Sequence, residues 1–305
     1  MTEDGTKTFR HLSEILEIAK NQVSKKLVVA AAEDLHVLQA VLYAHAENII
    51  HPILIGDSDK ILELCIKNKL EPEDIPLLDE KDPEKSCEIA IDLIRQGEAS
   101  ILMKGLVSTA PLLKAVLDKD KGLGKNELLS HAAIFEVPSY HKLITVTDAA
   151  MNVLPSLGEK ASIIENAVEM LHRIGIMEPK VGVLGPIETV NPKIQSTVDA
   201  RDLKAMNLSG RIKACLVDGP FAMDIAVSRE AALHKGIKSE VTGDVDILLA
   251  PDLNSGNILY KTLIFLANST SAAVVMGASA PIVLTSRADS EKSKLMSIAL
   301  AAALG

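Results

Sequence analysis

DGPFAMDIAVSREAALHKGIKSEVTGDVDILLAPDLNSGNILYK, residues 218–261, decides the fold. The apolar run Lys213 to Val217 reaches a turn at Asp218, Gly219 and Pro220. A helix-like segment follows, and a second apolar run, Val245 to Ala250, stops at Pro251 and Asp252. Ser255 and Gly256 then open another helix. Strand, turn, helix, strand, turn, helix is the order of a parallel α/β sheet. Ligands of such sheets collect at the carboxyl ends of the strands, so the two turns are expected to share a crevice.

Outward from this stretch the alternation continues. A helix pattern over 8–24 precedes the apolar run Leu27 to Ala32, expected to be the first buried strand. Helix Asp34 to Ala46, strand Pro52 to Ile55, helix Lys60 to Lys67, strand Ile75 to Leu78, helix Pro83 to Arg95 and strand Ser100 to Met103 follow. Two adjacent apolar runs, Ala132 to Val137 and Leu143 to Val146, look like a pair of strands crossing between domains. Helix Glu159 to Ile174, strand Val181 to Leu184 and a stiff polar loop, Gly185 to Thr197, lead back to the opening stretch. The chain closes on a helix over 291–303.

With 305 residues the chain has room for two ordinary domains. Hydrophobic residues make up 48% but aromatics only 2%, so the core must be built from Ala, Val, Ile, Leu and nine Met. A net charge of −9 argues against a nucleic-acid partner, because phosphate backbones need a basic surface. It leaves room for small anions held by local Lys, Arg and helix N-termini. The three cysteines show no CxxC spacing and fit a reducing cytoplasm, and no metal-ligand spacing is found among the eight histidines. No secretory signal is visible, and a cytoplasmic location is expected. Nothing between Lys261 and Arg287 is charged, longer than the ~20 residues of a membrane span. Asn268, Ser269, Gly277 and Pro281 interrupt it, so a buried sheet core is expected instead.

DGPFAMD, the Gly243–Asp244 pair and PDLNSGNILYK resemble the signature of the phosphate acetyl/butyryltransferase family, enzymes that move an acyl group between phosphate and coenzyme A. The closing GASAPIVLTSRADS, Gly277 to Ser290, resembles the butyryl branch more than the acetyl branch. The resemblance runs from about Leu27 to the C-terminus. It implies two α/β/α domains with parallel or mixed sheets and an interdomain active-site cleft, like isocitrate and isopropylmalate dehydrogenases. The expected domains are 1–140 plus 285–305, discontinuous because the last helix folds back, and 141–284.

The reaction implied is butanoyl-CoA plus phosphate giving butanoyl phosphate plus coenzyme A, reversibly, by direct thiolate attack in a ternary complex. Coenzyme A is then a substrate, no cofactor or metal is called for, no membrane is involved, and a homo-oligomer is expected. A thiol pKa near ~8.5 leaves only a few per cent ionised at neutral pH, so a base helps. Arg287 offers paired donors beside a helix N-terminus for the acyl phosphate, and Ser286 can hydrogen-bond the thiol or the oxyanion. Taken alone, Arg287 reads as a surface partner of Asp289. In acetyl relatives the credited base lies seven residues after the serine, where this chain has Ser293, so Asp289 is the nominee, with an N-cap role as its alternative.

Lys104 and Thr109, at a strand end before a helix, suit an anion, or equally a solvated lysine and an N-cap. Lys114 stands where acetyl relatives carry arginine, which weakens a bidentate grip. TDAAMNVLP, residues 147–155, resembles a cleft motif of the family, which makes Asp148 and Asn152 candidates; alone, Asp148 reads as a cap. Gly219, Pro220 and Asp224, with Asp252, Gly256 and Asn257, are expected to shape the coenzyme A side. The alternatives are an acetyltransferase, a metal- and NAD(P)-dependent dehydrogenase using Asp218, Asp244, Asp246 and Asp252, and a noncatalytic coenzyme A binder. Neither GxGxxG after a strand nor GxxxxGK[ST] is present.

Overall fold

Helix starts follow the side chains placed before them. Asp34, Asp57, Asp82, Asp252 and Ser290 each accept a first-turn backbone N–H, and Ser156 with Glu159 closes a capping box. Each cap of this kind contributes about 1 kcal/mol. The computed structural model describes residues 7–72, 74–124, 128–285 and 289–305.

In chain order the elements are α1 Leu12–Lys20, β1 Lys25–Ala30, α2 Leu35–Ala46, β2 Ile50–Gly56, α3 Ser58–Asn68, β3 Leu77–Asp79, α4 Pro83–Arg95, β4 Ile101–Lys104 and α5 Thr109–Val116. Next come β5 Ser130–Glu136, β6 Ile144–Thr147, α6 Leu157–Ile174, β7 Lys180–Leu184, α7 Gln195–Leu208, β8 Leu216–Phe221, α8 Met223–Val227, α9 Arg229–His234, β9 Ile247–Leu249 and α10 Leu253–Phe265. Strands β10 Thr270–Met276 and β11 Ile282–Val283 and helix α11 Glu291–Ala303 end the chain. The long uncharged stretch is thus helix end and two buried strands, and among the described residues no helix is long and apolar enough to cross a membrane.

The chain divides into two compact α/β units. One comprises residues 13–127 and 272–305. Its strands lie in the order β3-β2-β1-β4-β11-β10, parallel except for the β10–β11 pair. The other comprises residues 1–12 and 128–271, with strands in the order β5-β6-β9-β7-β8, parallel except for the β5–β6 hairpin. Each unit therefore has a mixed strand arrangement. The changeovers at 127/128 and 271/272 precede the 140/141 and 284/285 read from sequence. Pairing explains the shift, because β5 is bound to β6 along Ala132 to Phe135, while β11 runs beside β4. Helix α11 packs on α2 within the first unit, so that unit is discontinuous.

Two local readings are corrected. The turn expected at Asp218, Gly219 and Pro220 is strand, since β8 continues to Phe221. Between Gly182↔Asp218 and Leu184↔Phe221 the β8 side carries one more residue than β7, a β-bulge. Gly219 takes it up at φ 152°, where an added Cβ would stand 2.7 Å from the Val183 carbonyl oxygen. The helix-like segment that follows is two short helices, broken at Ser228, whose extended backbone ends α8 and whose hydroxyl caps α9.

Candidate functional site

The carboxyl ends of β6 and β9 are adjacent, because those strands pair in register from Thr145↔Ile247 to Thr147↔Leu249. The chain leaving β6 turns at once through Asp148, after a cis Thr147–Asp148 peptide. The buried Asp148 carboxylate organises this turn. Oδ1 accepts from the backbone N–H of Ala150 at 2.8 Å and Met151 at 3.0 Å. Oδ2 accepts from His131 N–H at 3.2 Å and from Asn152 Nδ2 at 2.6 Å. Asn152 Nδ2 also donates to the Leu129 carbonyl at 2.9 Å. Asp148 therefore builds the turn rather than waiting as a free base, and Asn152 ties it to the strand before β5.

The first turn of α10 closes against the same place. At Gly256 a Cβ would lie 2.2 Å from the Asp148 carbonyl oxygen, so only glycine permits the approach. Asn257 Nδ2 donates to the Ala149 carbonyl at 3.1 Å. Asp252 caps the helix, accepting from Ser255 N–H at 2.9 Å and Ser255 Oγ at 2.6 Å. Those bonds, the hydroxyl's first, hold its carboxyl below the usual range. Asp148, Asn152, Asp252, Gly256 and Asn257 thus form one group at the carboxyl edge of the β6–β9 pair. His131 and Tyr260 flank it, their rings meeting edge to face at 5.9 Å.

Other candidates lie elsewhere. Gly219 and Pro220 are on β8, with β7 between it and β9. Asp224 is exposed and paired with Lys235 at 3.1 Å, which holds its carboxyl low, Lys235 being the principal cause. Asp218, Asp244, Asp246 and Asp252 do not make one cluster. Asp218 binds Lys204 and Ser239, both at 2.6 Å. Asp244 and Asp246 share the buried Lys142 at 3.1 and 2.6 Å, and Lys180 reaches Asp244 at 2.6 Å. Burial pushes the Asp244 carboxyl up, but Lys180, His141 and Lys142 outweigh it and hold the group well below its ordinary value.

In the unit of residues 13–127 and 272–305, the buried Lys104 ends β4 and turns into the loop after it, donating to the carbonyls of Gly105 and Val107, both at 3.1 Å. It is not a solvated lysine. Ser108, not Thr109, occupies the N-cap of α5 and makes no side-chain cap bond; Thr109 is the exposed first helical residue. Lys114, in the last turn of α5, lines a cavity of about 280 Å³ together with Glu84, Glu88 and Asp92 of α4. Asp289 is half-buried and its carbonyl accepts from Lys294 Nζ at 2.8 Å. The cap of α11 is Ser290, so that alternative for Asp289 falls away. Ser293, where acetyl relatives carry the base, is buried with its Oγ 3.1 Å from Ser290 Oγ. Ser286 and Arg287 lie outside the described residues.

Three features were missed from sequence. Lys294, only 2% exposed, stands in line with Ile298 and Ala301 on the buried face of α11, and a lysine at an apolar-stripe position was the available signal. His131 and the pair Lys160–Asp199, 2.5 Å apart, had none, since their partners are distant in sequence. Burial pushes the thiols of Cys87 and Cys215 up to about 11, so neither is a ready nucleophile.

Sequence comparison with known proteins converges on one group. The profile of the family described as phosphate acetyl/butaryl transferase matches residues 81–302. The chain is 44% identical to the phosphate butyryltransferase of Clostridium acetobutylicum, across 96% of this chain and 97% of that one. It is 42% identical to the phosphate acetyltransferase of Thermotoga maritima, across 95% and 98%. The crystal structure of a branched-chain phosphotransacylase from Enterococcus faecalis V583 superposes with a TM-score of 0.81 at 32% identity, covering 92% of this chain and 98% of that one. With a profile match over most of its length and relatives matched nearly end to end, the chain belongs to the phosphate acetyl/butaryl transferase family.

Proposed function

We propose that this protein is a phosphate butyryltransferase, moving a short-chain acyl group reversibly between coenzyme A and phosphate. The observation that carries the reading is the near end-to-end match to a butyryltransferase at 44% identity. The coenzyme A thiolate attacks the acyl phosphate directly in a ternary complex, a route consistent with the two buried thiols being pushed up to about 11.

In this reading Arg287 holds the acyl phosphate, Ser286 hydrogen-bonds the thiol or oxyanion, and Asp289 takes the thiol proton. Lys104, Thr109 and Lys114 serve the phosphate side. Asp148, Asn152, Asp252, Gly256 and Asn257 shape the coenzyme A side, with Gly219, Pro220 and Asp224 further along the sheet edge. No metal or cofactor takes part. The protein works in the cytoplasm, which suits three free buried cysteines, and as a homo-oligomer. Exposed Ile258, Phe265 and Leu266 on and just after α10 supply apolar surface for self-association, which light scattering behind size exclusion would test.

The deciding assay is phosphate-dependent release of free thiol from acetyl-, propionyl- and butyryl-CoA with chelator present. Highest kcat/KM for butyryl-CoA is expected. Each added methylene contributes ~0.8 kcal/mol, so the preference should be graded across the three. Preference for acetyl-CoA would transfer the chain to the activity named for the Thermotoga relative, and no release would overturn the transferase reading.

A further inference from the structure

Three helices of one unit follow neighbouring strands: α6 follows β6, α10 follows β9 and α7 follows β7, and these strands lie side by side in the order β6-β9-β7. Such an edge is where α/β sheets bind ligands. Here it opens into a cavity of about 610 Å³, within the range of small-molecule sites. Leu154, Pro155 and Leu157 give it an apolar side, and Leu154 is 80% exposed.

The polar side is unusual. Lys160 lines the cavity yet is only 4% exposed. An ammonium has three N–H donors, and among the described residues one bond is made, to Asp199 Oδ2 at 2.5 Å. Asp199, 5% exposed, also accepts from Gln195 Nε2 at 2.8 Å. Buried donors left without acceptors are costly, so acceptors brought by a ligand would fit here. Lys160 pairs with Asp199, and Arg201 Nε pairs with Asp202 at 2.8 Å, so the carboxylate of Asp252 leaves the cavity with a net negative charge, which disfavours phosphate groups.

The occupant this chemistry selects is uncharged, offers carbonyls to Lys160 and N–H or O–H groups to carboxylates, and carries aliphatic surface for Leu154 and Leu157. Resting on the acyltransferase reading, only one part of its two substrates meets that description. We infer that the cavity seats the pantetheine arm of coenzyme A, with Lys160 donating to an amide carbonyl of the arm and the diphosphate and 3′-phosphate kept outside. The spacing of the arm's amides then sets where the thioester reaches.

Ser196→Trp tests this. Ser196 lines the cavity from the first turn of α7, so the indole fills space beside the Lys160–Asp199 pair while leaving both charged side chains in place. The KM for butyryl-CoA is expected to rise at least about tenfold, while the KM for phosphate in the same reaction stays within about twofold. A crystal structure with butyryl-CoA is the second measurement and should show an amide oxygen within hydrogen-bonding distance of Lys160 Nζ. An unmoved thioester KM in a folded variant, or the adenine ring or no part of the ligand in the cavity, overturns the inference. Wild-type protein that releases no thiol from any acyl-CoA removes the parent reading and this inference with it. Wild-type turnover with the KM unmoved removes this inference alone.

Discussion

Gly256→Ala adds one methyl group at the place where α10 meets the Asp148 turn. The new Cβ would stand 2.2 Å from the Asp148 carbonyl oxygen and 3.1 Å from Ala149 Cα, whereas real Cβ atoms keep at least 3.0 Å. The neighbours are backbone, which no rotamer change can move aside, so helix and turn must part by about 1 Å. Overpacking of this kind costs about 1–3 kcal/mol. Alanine recovers at most about 1 kcal/mol of helix propensity. The net destabilisation is therefore about 0–3 kcal/mol, a Tm fall of no more than about 12 °C for units of this size. The effect on rate should be the larger one. Asn257 and the Asp148–Asn152 bond ride on the displaced parts, and a 1 Å misplacement can cost about 10²-fold. Thermal unfolding and kcat/KM for butyryl-CoA, measured on the same preparation, read both numbers. A variant with wild-type kcat/KM would refute the placement of a working site at this contact, and a raised Tm would refute the steric argument.

Asp289→Asn is expected to lower kcat far more than it raises either KM, and an unchanged kcat would remove Asp289 as the base. Lys142→Met leaves Asp244 and Asp246 facing each other without the buried ammonium between them, so urea unfolding should show a loss of about 3–5 kcal/mol; a loss below 1 kcal/mol would show that Lys180 and His141 suffice. Asp252→Ala removes the cap of α10 and should cost about 1 kcal/mol at neutral pH. Because the folded carboxyl titrates below its unfolded value, its contribution is present above the unfolded pKa of ~3.9 and is lost as pH falls through the folded one. The gap between wild type and variant should therefore narrow in acid, and a gap that widens there would contradict the assignment.

The βα alternation was legible because apolar runs and capping residues speak locally. Helices α4 and α11 begin and end where Pro83 to Arg95 and residues 291–303 said they would. Asp252, Gly256 and Asn257 were readable as a turn before a helix, and their meeting with Asp148 followed once β6 and β9 were known to be neighbours. What stayed hidden depends on pairs far apart in sequence. The bulge at Gly219 exists only relative to Gly182 and Leu184 on β7. Lys160 looks like an ordinary surface lysine until Asp199 is brought beside it. Lys104 looked as solvated as any lysine at a strand end, and only the path of the 105–107 loop turns it inward.

The return of α11 to α2 carries a consequence for synthesis. The surface of α2 that α11 covers is made well before its partner, with about 250 residues translated between them. Residues 128–271 are complete, and able to find their own sheet order, before that partner leaves the ribosome. The nascent chain therefore carries an unfinished first unit through most of its elongation, exposed to aggregation and in need of shelter. Loss of the codons for α11 would be felt at α2, encoded far upstream, rather than beside the deletion.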